Sequence, residues 1–457
     1  MSEHFVRTAV DSKLGEKECA MRRFVKSGRL VGAVAAFILF HGTCFAQAAG
    51  GEHWVTSWAT AQVQAPAPRL GTAGQAVNAA QQALAGFSNQ TIRMVVPCSI
   101  GGRRVRVQFS DAYSSAPLRL GAAHVAIHEK NSAIVAGSDR VLSFGGDAAI
   151  SVPAGATVIS DPVDLDVPAL GELAVTVYVA GTSGAPSMHA LGLHTTYISP
   201  KGNLTAEPMM EDPATTQSWY WLSAVDVLAP ARAATIIAFG DSITDGARST
   251  PDANHGWTFR LAQRMLVNSE AATTGIANLG IAGNRILKDG VGPSGLSRFG
   301  RDALEQAGAR WVVVLEGIND IGQASGPNAA AADGITADEV IGGLRQLAEQ
   351  AHIRGLKVIG ATLLPYQGAM YFSEQGETIR ESVNTWIRSA TAFDAVIDFD
   401  AVMRNASNPK QLRPEFDAGD HLHPNDTGYE AMAATVDLAI FADNPPSASS
   451  GSRGENR

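Results

Sequence analysis

The chain has 457 residues, of which 45% are hydrophobic and 17% are charged, and its formal net charge at pH 7 is −9. This length allows two domains with cores of their own, and this composition excludes a largely disordered chain. The negative charge argues against a nucleic-acid backbone as the main partner, because phosphate binding relies on clustered positive side chains.

The N-terminal residues have the pattern of an export signal. Basic residues after Met21 precede an apolar run over Leu30–Phe40, and an A-x-A cleavage pattern follows at Ala46-Gln47-Ala48. The run is too short to span a bilayer as a mature helix. We therefore predict a signal peptide over residues 1–48, with Met21 as an alternative start, and a secreted or periplasmic protein. A buried N-terminal helix is the competing interpretation.

The three cysteines favour neither a disulfide nor a lipid anchor. Cys19 and Cys44 fall in the predicted leader, which leaves Cys98 without an intramolecular partner. His41 stands three positions before Cys44, where a lipoprotein cleavage site has an aliphatic residue, so no stable membrane anchor is expected. Cys98 follows a proline in a strand-like segment, and we expect it to be a buried apolar residue rather than a nucleophile.

Residues 51–230 have the pattern of many short strands. Polar and apolar side chains alternate over Arg104–Phe109 and again over Ala174–Val179, and glycine-rich turns such as Gly181-Thr182-Ser183-Gly184 separate the segments. This pattern predicts a β-sandwich or jelly-roll domain. The stretch from Gln64 to Gly86, rich in Ala, Gln and Pro, is predicted to be a surface excursion.

After Ala231 the pattern changes to alternating strands and helices. Strands are predicted at 236–239, 276–280, 311–315, 357–361 and 396–399, and helices near 255–268, 296–308, 336–354, 376–392 and 427–441. Thr336 and Glu339 form a capping box for the third helix, and Gly355 ends it. The alternation predicts a parallel sheet covered by helices on both faces over residues 231–443. The tail over 444–457, rich in Pro, Ser and Gly, is predicted to be disordered.

The first predicted strand, Ile236–Phe239, ends in Gly240-Asp241-Ser242. Ligands of open α/β sheets bind at such carboxyl ends. A serine there lies near a helix N-terminus, whose free N–H groups favour negative charge. Ser242 is therefore a candidate nucleophile for a reaction that creates an oxyanion.

A candidate base lies in the segment before the last helix, Gly419-Asp420-His421-Leu422-His423-Pro424. An acid three residues before a histidine can fold back and accept its Nδ1–H, which leaves Nε2 free to take a serine proton. A polar loop with a proline that begins the helix explains these residues about as well. Metal binding through His421 and His423 is a third alternative, but no HExxH or CxxC pattern supports it. We expect no metal and no organic cofactor.

Two further strand ends offer hydrogen-bond donors. Gly283 follows the second strand and can present a backbone N–H, while Asn319 follows the third and can aim its side-chain amide at the same point. With the N–H of Ser242 these donors make a candidate oxyanion hole. Each stretch alone is better explained as an ordinary turn. Arg298 and Arg301, between these strand ends, are expected to form salt bridges on a helix face.

Together the segments resemble the conserved blocks of the SGNH (GDSL-type) hydrolase superfamily, in the same order over residues 235–441. The blocks are Gly240-Asp241-Ser242, Gly283, Gly317-Ile318-Asn319-Asp320 and Asp420-His421-Leu422-His423-Pro424. Ile243 stands where the name motif has leucine. The resemblance implies a flavodoxin-like parallel sheet, a Ser242–His423–Asp420 triad, and an oxyanion hole formed by Ser242, Gly283 and Asn319.

The first half of the chain also resembles a β-domain that precedes some secreted bacterial members, among them esterases linked to xylan breakdown. Asn89–Arg93 and Trp54–Ala59 carry this likeness. We therefore expect an exported serine ester hydrolase that acts on acetyl or other short acyl esters of carbohydrates. A lipase or lysophospholipase-type acylhydrolase and a non-catalytic carbohydrate-binding protein are the alternatives. An α/β-hydrolase would need G-x-S-x-G and a dinucleotide-binding domain G-x-G-x-x-G after the first strand, and neither is present.

Overall fold

A computed structural model describes residues 51–68, 78–268, 272–327 and 334–442. The predicted signal peptide over 1–48 and the predicted disordered tail over 444–457 lie outside these ranges, as does part of the predicted surface excursion. The described residues all belong to one compact unit. Among the helices they form, none is long and apolar enough to cross a membrane.

The first half of the described chain consists mainly of antiparallel strands. They are β1 (Glu52–Ala59), β2 (Val63–Gln64), β3 (Ser88–Pro97), β4 (Gly102–Ser110), β5 (Leu118–Lys130), β6 (Ala133–Ile134), β7 (Arg140–Val141), β8 (Ile150–Val152), β9 (Thr157–Ile159), β10 (Val163–Val167), β11 (Glu172–Thr182), β12 (Ser187–His189), β13 (Thr196–Ile198), β14 (Ala214–Thr216), β15 (Trp219–Tyr220) and β16 (Leu222–Pro230). A short helix, α1 (Ala79–Ala85), lies within the predicted excursion.

These strands form two larger sheets and a small one. The first has the order β1-β16-β4-β10 with β9 beside β4, the second the order β14-β13-β3-β11-β5-β6 with β7 and β8 also paired to β5, and the third the order β15-β12-β2. The predicted alternation holds in β4, where Val105, Val107 and Phe109 are buried and the residues between them are partly exposed. Apolar residues of both larger sheets share one core, and Cys98 is buried, as expected. The predicted all-β region is confirmed.

The second half of the described chain is an α/β structure. Its parallel strands are β17 (Ala234–Gly240), β18 (Thr274–Gly280), β19 (Ala309–Leu315), β20 (Lys357–Ala361) and β21 (Ala395–Ile397), and a hairpin of β22 (Arg404–Asn405) and β23 (Asn408–Leu412) follows them. Its α-helices are α2 (Ser242–Asp245), α3 (Trp257–Val267), α4 (Gly295–Phe299), α5 (Ile318–Ser325), α6 (Ala337–Ile353), α7 (Glu374–Ser389), α8 (Phe399–Met403) and α9 (Asp426–Thr435).

The parallel sheet has the order β18-β17-β19-β20-β21, which is the flavodoxin-like order 2-1-3-4-5. The predicted fold class is confirmed. Strand β17, between β18 and β19, is buried along its whole length, and its large apolar residues Ile236, Ile237 and Phe239 are fully buried. Burial of each such side chain stabilises the fold by about 1.5–3 kcal/mol. The strand therefore holds Ser242 at a rigid end of the sheet.

The predicted helices agree with the structure where they are long. Thr336 and Glu339 form the expected capping box of α6. The helix predicted over 296–308 is instead α4 followed by a π-helical turn over Gly300–Leu304. Glycines at both ends of this segment weaken a continuous α-helix. The last predicted helix likewise divides into α9 and a 3₁₀ turn over Leu438–Phe441.

The β region packs directly on the parallel sheet. Strand β1 lies against β17 and against β18, which is the outermost strand on its side of the sheet. The hydroxyl of Thr235 donates to the carbonyl of Thr56 at 2.9 Å, and the N–H of Ile276 in β18 donates to Ser99 Oγ at 2.8 Å. The two regions are thus joined by hydrogen bonds between side chains and backbone, and the predicted domain boundary near residue 230 remains a prediction.

Candidate active site

Ser242 is the first residue of α2 and directly follows the N-cap residue Asp241. The Asp241 side chain accepts a hydrogen bond from the N–H of Ile243 at 2.9 Å. In the first turn of a helix the backbone N–H groups have no intrahelical acceptor. The N–H of Ser242 can therefore donate to a group outside the helix.

Two glycines allow α2 to lie close to the ends of the strands. A Cβ at Gly240 would overlap the carbonyl oxygen of Leu315, and a Cβ at Gly280 would overlap the backbone nitrogen of Asp245. Because neither position tolerates a side chain without displacement of the backbone, the ends of β17, β18 and β19 meet closely. This packing brings Ser242 next to the segments that contain Gly283 and Asn319.

The three residues of the predicted triad are connected by hydrogen bonds. His423 Nε2 lies 2.8 Å from Ser242 Oγ, and His423 Nδ1 lies 2.9 Å from Asp420 Oδ2. The other oxygen of Asp420 accepts from the backbone N–H of His423 at 3.0 Å. With Nδ1–H donating to Asp420, the lone pair of Nε2 faces the serine hydroxyl and can accept its proton.

The charge of Asp420 is stabilised by its neighbours. Burial works against ionisation, but hydrogen bonds from the backbone and the ring of His423, together with Arg248, lower the pKa of Asp420 to about 2. The Arg248 Nε lies 2.9 Å from Asp420 Oδ2. Asp420 is therefore a carboxylate at neutral pH and can accept the imidazole Nδ1–H throughout that range.

Gly283 and Asn319, the other two predicted oxyanion donors, follow β18 and β19. Gly283 has φ = +81°, and a Cβ there would lie 3.2 Å from Val291 Cγ2, so glycine is favoured on both counts. Asn319 Nδ2 donates to the carbonyl of Asn284 at 3.0 Å. An amide nitrogen carries two hydrogens, and the second remains available for an oxyanion beside Ser242.

The orientation of the Asn319 amide depends on Tyr371, a residue that the sequence analysis missed. The Tyr371 hydroxyl donates to Asn319 Oδ1 at 3.1 Å. Burial, with nearby carboxylates including Asp241, raises the pKa of Tyr371 well above its ordinary value, so the hydroxyl stays protonated. The hydroxyl therefore holds the carbonyl end of the amide, which keeps Nδ2 directed at the carbonyl of Asn284.

The Tyr371→Phe variant is expected to lower kcat about 10-fold with KM little changed. Without the tyrosine hydroxyl as donor, the Asn319 side-chain amide can rotate and exchange its oxygen and nitrogen. Steady-state hydrolysis of 4-nitrophenyl acetate measures both constants. Tyr366→Phe is the matched control, since the rings of Tyr366 and Tyr371 lie 6.0 Å apart in the same cluster. Equal kcat values for Tyr371→Phe and the wild type would contradict this role.

Arg298 forms the expected salt bridge on its helix, with Asp302 at 3.4 Å, but it is also fully buried, which the sequence did not indicate. Its guanidinium donates to the carbonyls of Gly240 at 2.9 Å and Leu279 at 2.8 Å, and to Asn284 Oδ1 at 2.8 Å. Arg298 thus joins the ends of β17 and β18 to the segment after Gly283. Arg301 also forms its expected salt bridge, with Asp302 at 2.7 Å.

Two buried carboxyl groups lie behind Ser242. Burial raises the pKa of Asp241 to about 7, and burial together with Asp241 raises the pKa of Glu316 well above its ordinary value despite Arg298. Neither Asp241 Oδ2 nor the Glu316 carboxyl oxygens have a hydrogen-bond partner among the described residues. Protonation of these groups reduces the negative charge near the strand ends, where an oxyanion would form.

The metal alternative for His421 and His423 can be compared with the geometry. His421 Nδ1 lies 2.6 Å from Asp417 Oδ2, whereas His423 contacts Asp420 and Ser242. Each imidazole therefore has its own carboxylate. Within the ranges that the structure covers, no three His, Cys, Asp or Glu side chains are grouped so that they could hold a metal ion.

Comparison with known proteins connects this geometry to a family. Residues 236–436 match the family described as GDSL-like Lipase/Acylhydrolase. The matched segment runs from β17 to just past α9 and includes Ser242, Gly283, Asn319 and the Asp420–His423 pair. Residues 236–436 therefore form a GDSL-like lipase/acylhydrolase domain. This domain supports the predicted carboxylic ester hydrolase, and an all-β region precedes it.

Solved structures resemble the same part of the chain. They include a GDSL-like lipase from Bacteroides thetaiotaomicron (22% identity, 45% of this chain and 87% of that chain, TM-score 0.34) and a member of the lipolytic G-D-S-L family from Veillonella parvula (22% identity, 46% and 98%, TM-score 0.35). An acetylxylan esterase from Geobacillus stearothermophilus is also similar (21% identity, 46% and 94%, TM-score 0.36). No curated protein sequence matches the chain.

Proposed function

We propose that the protein is an exported serine ester hydrolase that removes acetyl or other short acyl groups from carbohydrates. The observation that carries the proposal is the 2.8 Å contact between Ser242 Oγ and His423 Nε2, with Asp420 at the other ring nitrogen. A hydroxyl, a base and an orienting carboxylate in this order are the parts of a nucleophilic triad.

The proposed reaction has two steps. Ser242 Oγ attacks the ester carbonyl while His423 takes its proton, and the imidazolium then protonates the departing alcohol. Water attacks the acyl-enzyme with His423 again as base, which releases the acid and restores Ser242. In both tetrahedral intermediates the N–H groups of Ser242 and Gly283 and the Asn319 amide donate to the oxyanion. Asp420 holds the imidazole and stabilises its charge.

The surroundings of Ser242 support a short acyl group. Beside Gly283, Val291 is 55% exposed, so the site opens to solvent at this rim. An open site admits a bulky carbohydrate, whereas a long acyl chain gains little without an apolar channel.

The leader pattern supports the proposed location. The apolar run over Leu30–Phe40 and the cleavage pattern at Ala46-Gln47-Ala48 favour export. Outside the cytoplasm, acylated polysaccharides are accessible substrates. Cell fractionation with N-terminal sequencing of the mature protein tests this part, and an unprocessed protein confined to the cytoplasm would contradict it.

The activity itself is tested with a fluorophosphonate probe and an ester panel. We expect covalent labelling at Ser242, identified by peptide mass spectrometry, and release of acetate from acetylated xylooligosaccharides. Across 4-nitrophenyl esters, kcat/KM should not rise from acetate to octanoate, since methylenes that stay in solvent add no binding energy. An absence of labelling would overturn the serine mechanism. A preference for long-chain esters or lysophospholipids would overturn the carbohydrate assignment and support the lipase alternative.

A further inference from the structure

His189, in the β region, reaches the helix that begins with Ser242. It is the last residue of β12, and its Nε2 lies 2.9 Å from Asp245 Oδ1 in α2. Its Nδ1 lies 2.8 Å from the carbonyl oxygen of Ala61. The two side chains are 3% and 5% exposed, so solvent screens their interaction little. This is a buried contact between the β region and the hydrolase domain.

Asp245 connects this contact to both sides of the candidate oxyanion hole. It is the last residue of α2, three positions after Ser242, and its backbone N–H donates to the carbonyl of Asp241 at 2.9 Å. Its second carboxylate oxygen accepts from the N–H of Ala282 at 3.0 Å. Ala282 directly precedes Gly283. One carboxylate thus fixes the distance between the helix of Ser242 and the segment of Gly283.

The hydrogen-bond pattern of His189 requires two donors. Both ring nitrogens face oxygen acceptors, one on Ala61 and one on Asp245, but a neutral imidazole carries only one N–H. The imidazolium satisfies both acceptors and pairs with the Asp245 carboxylate. Burial works against this charge, but Asp245 and the backbone carbonyl of Ala61 outweigh it and raise the pKa of His189.

We propose that His189 is a positioning residue for ester hydrolysis, which holds Asp245 so that the N–H groups of Ser242 and Gly283 converge on one oxyanion. The inference rests on the proposed function, because it assigns His189 to the donors of that reaction. It also gives the β region a part in catalysis. The hydrolase domain thus takes one support of its candidate oxyanion hole from a residue 56 positions before Asp245.

Removal of this support is expected to act on the transition state more than on substrate binding. The oxyanion exists only during the reaction, so donors that are misplaced by a fraction of an ångström lower kcat and leave KM nearly unchanged. A purely structural role for His189 predicts a different result. Stability would fall, but the folded fraction would keep its kcat.

Two variants of His189 separate these alternatives. In His189→Gln the amide nitrogen can reach the place of Nε2 and donate to Asp245. In His189→Asn the shorter amide can reach only the place of Nδ1 and donate to Ala61. The matched control is His194→Asn. His194 is also buried, its ring stacks on Trp219 at 5.8 Å as that of His189 does at 5.6 Å, and it contacts Asn254 rather than α2.

We expect His189→Asn to lower kcat for 4-nitrophenyl acetate about 10- to 100-fold, with KM within about 2-fold of the wild type. His189→Gln should recover most of this loss. His194→Asn should keep the wild-type kcat even where its Tm falls. Wild-type kcat in His189→Asn, or equal kcat losses in all three variants, would overturn the proposal.

Asp245→Asn tests the same connection if His189→Asn does not fold. The asparagine keeps the shape of the side chain but replaces one acceptor with a donor, so kcat should fall by about the same 10- to 100-fold factor. A kcat equal to that of the wild type would overturn the proposal. Ser242→Ala, assayed alongside, distinguishes the two hypotheses. If turnover by the wild type does not depend on Ser242, the proposed function fails. If turnover depends on Ser242 but the His189 and Asp245 variants keep the wild-type kcat, only the positioning role is overturned.

Discussion

Ser242→Ala is expected to lower kcat for 4-nitrophenyl acetate by ~10⁴-fold or more, because the variant lacks the hydroxyl that His423 contacts as base. The hydroxyl lies 2.8 Å from His423 Nε2. Its loss leaves the oxyanion donors intact, so a residual rate above that of buffer should remain. Covalent labelling by a fluorophosphonate probe should disappear as well.

Ser249→Ala is the matched control for this variant. Ser249 is also buried, seven residues farther along the chain, and its hydroxyl donates to the carbonyl of Gly246 at 2.7 Å. It makes no contact with His423. The control should retain kcat and labelling, and near-UV circular dichroism should show both variants folded. Turnover by Ser242→Ala within 10-fold of the wild type would refute Ser242 as nucleophile.

Asp420→Asn is expected to lower kcat about 10⁴-fold, since the amide favours the wrong imidazole tautomer. With Asp420 the Nδ1–H of His423 donates to a carboxylate, and Nε2 is free to accept the serine proton. An asparagine amide that donates to Nδ1 favours the tautomer with the proton on Nε2. Protonated Nε2 cannot act as the base for Ser242. Measurement of kcat from pH 5 to 9 should give a reduced rate throughout.

Asp417→Asn provides the control, because Asp417 contacts the neighbouring His421 at 2.6 Å in a similar way. It should leave kcat unchanged. Stability gives a second readout. The pKa of Asp420 is lowered to about 2, below the value of about 4 in an unfolded chain, so its contribution is present above about pH 4 and is lost as the pH falls through 2. Asp420→Asn should remove this part of the acid-induced loss of Tm. A kcat within 10-fold of the wild type would contradict the orienting role.

Local patterns made the fold and four of the site segments predictable. Each strand of the parallel sheet is a short apolar run, and the bounds predicted for β20 agree with the structure at both ends. Ser242, Gly283, Asn319 and the Asp420–His423 pair each follow or precede a regular element. Because parallel strands end at the same edge of a sheet, Ser242, Gly283 and Asn319 were expected near one another. The resemblance to the GDSL-type blocks added the Asp420–His423 pair.

The supporting residues could not be predicted in this way. His189 contacts Asp245 across 56 positions, and Tyr371 contacts Asn319 across 52. Neither pair has a characteristic spacing, and a buried histidine or tyrosine fits an ordinary core equally well. Arg298 was expected in a salt bridge on a helix face, but not to be buried; the carbonyls of Gly240 and Leu279 and the side chain of Asn284 compensate for its loss of hydration. The sequence alone contains no signal for such compensation.

Short elements were also hard to predict. Helix α5 (Ile318–Ser325) begins within the Gly317-Ile318-Asn319-Asp320 block and has only eight residues, too few for a clear 3.6-residue period. The segment over 296–308 has a helical pattern, but it contains Gly300, and the chain there forms a short helix and a wider turn. In both places tertiary contacts, rather than propensity, determine the backbone.

The hydrogen bond between Ile276 and Ser99 has a consequence for engineering. Strand β18 ends the parallel sheet on its side, and Ser99 of the preceding region takes up one of its outward N–H groups. An edge strand whose backbone N–H and C=O groups are unpaired can pair with strands of other chains and so promote aggregation. A fragment that begins near residue 230 would expose the edge of β18. The hydrolase domain is therefore a poor fusion partner by itself, and a fusion protein should include the β region that covers this edge.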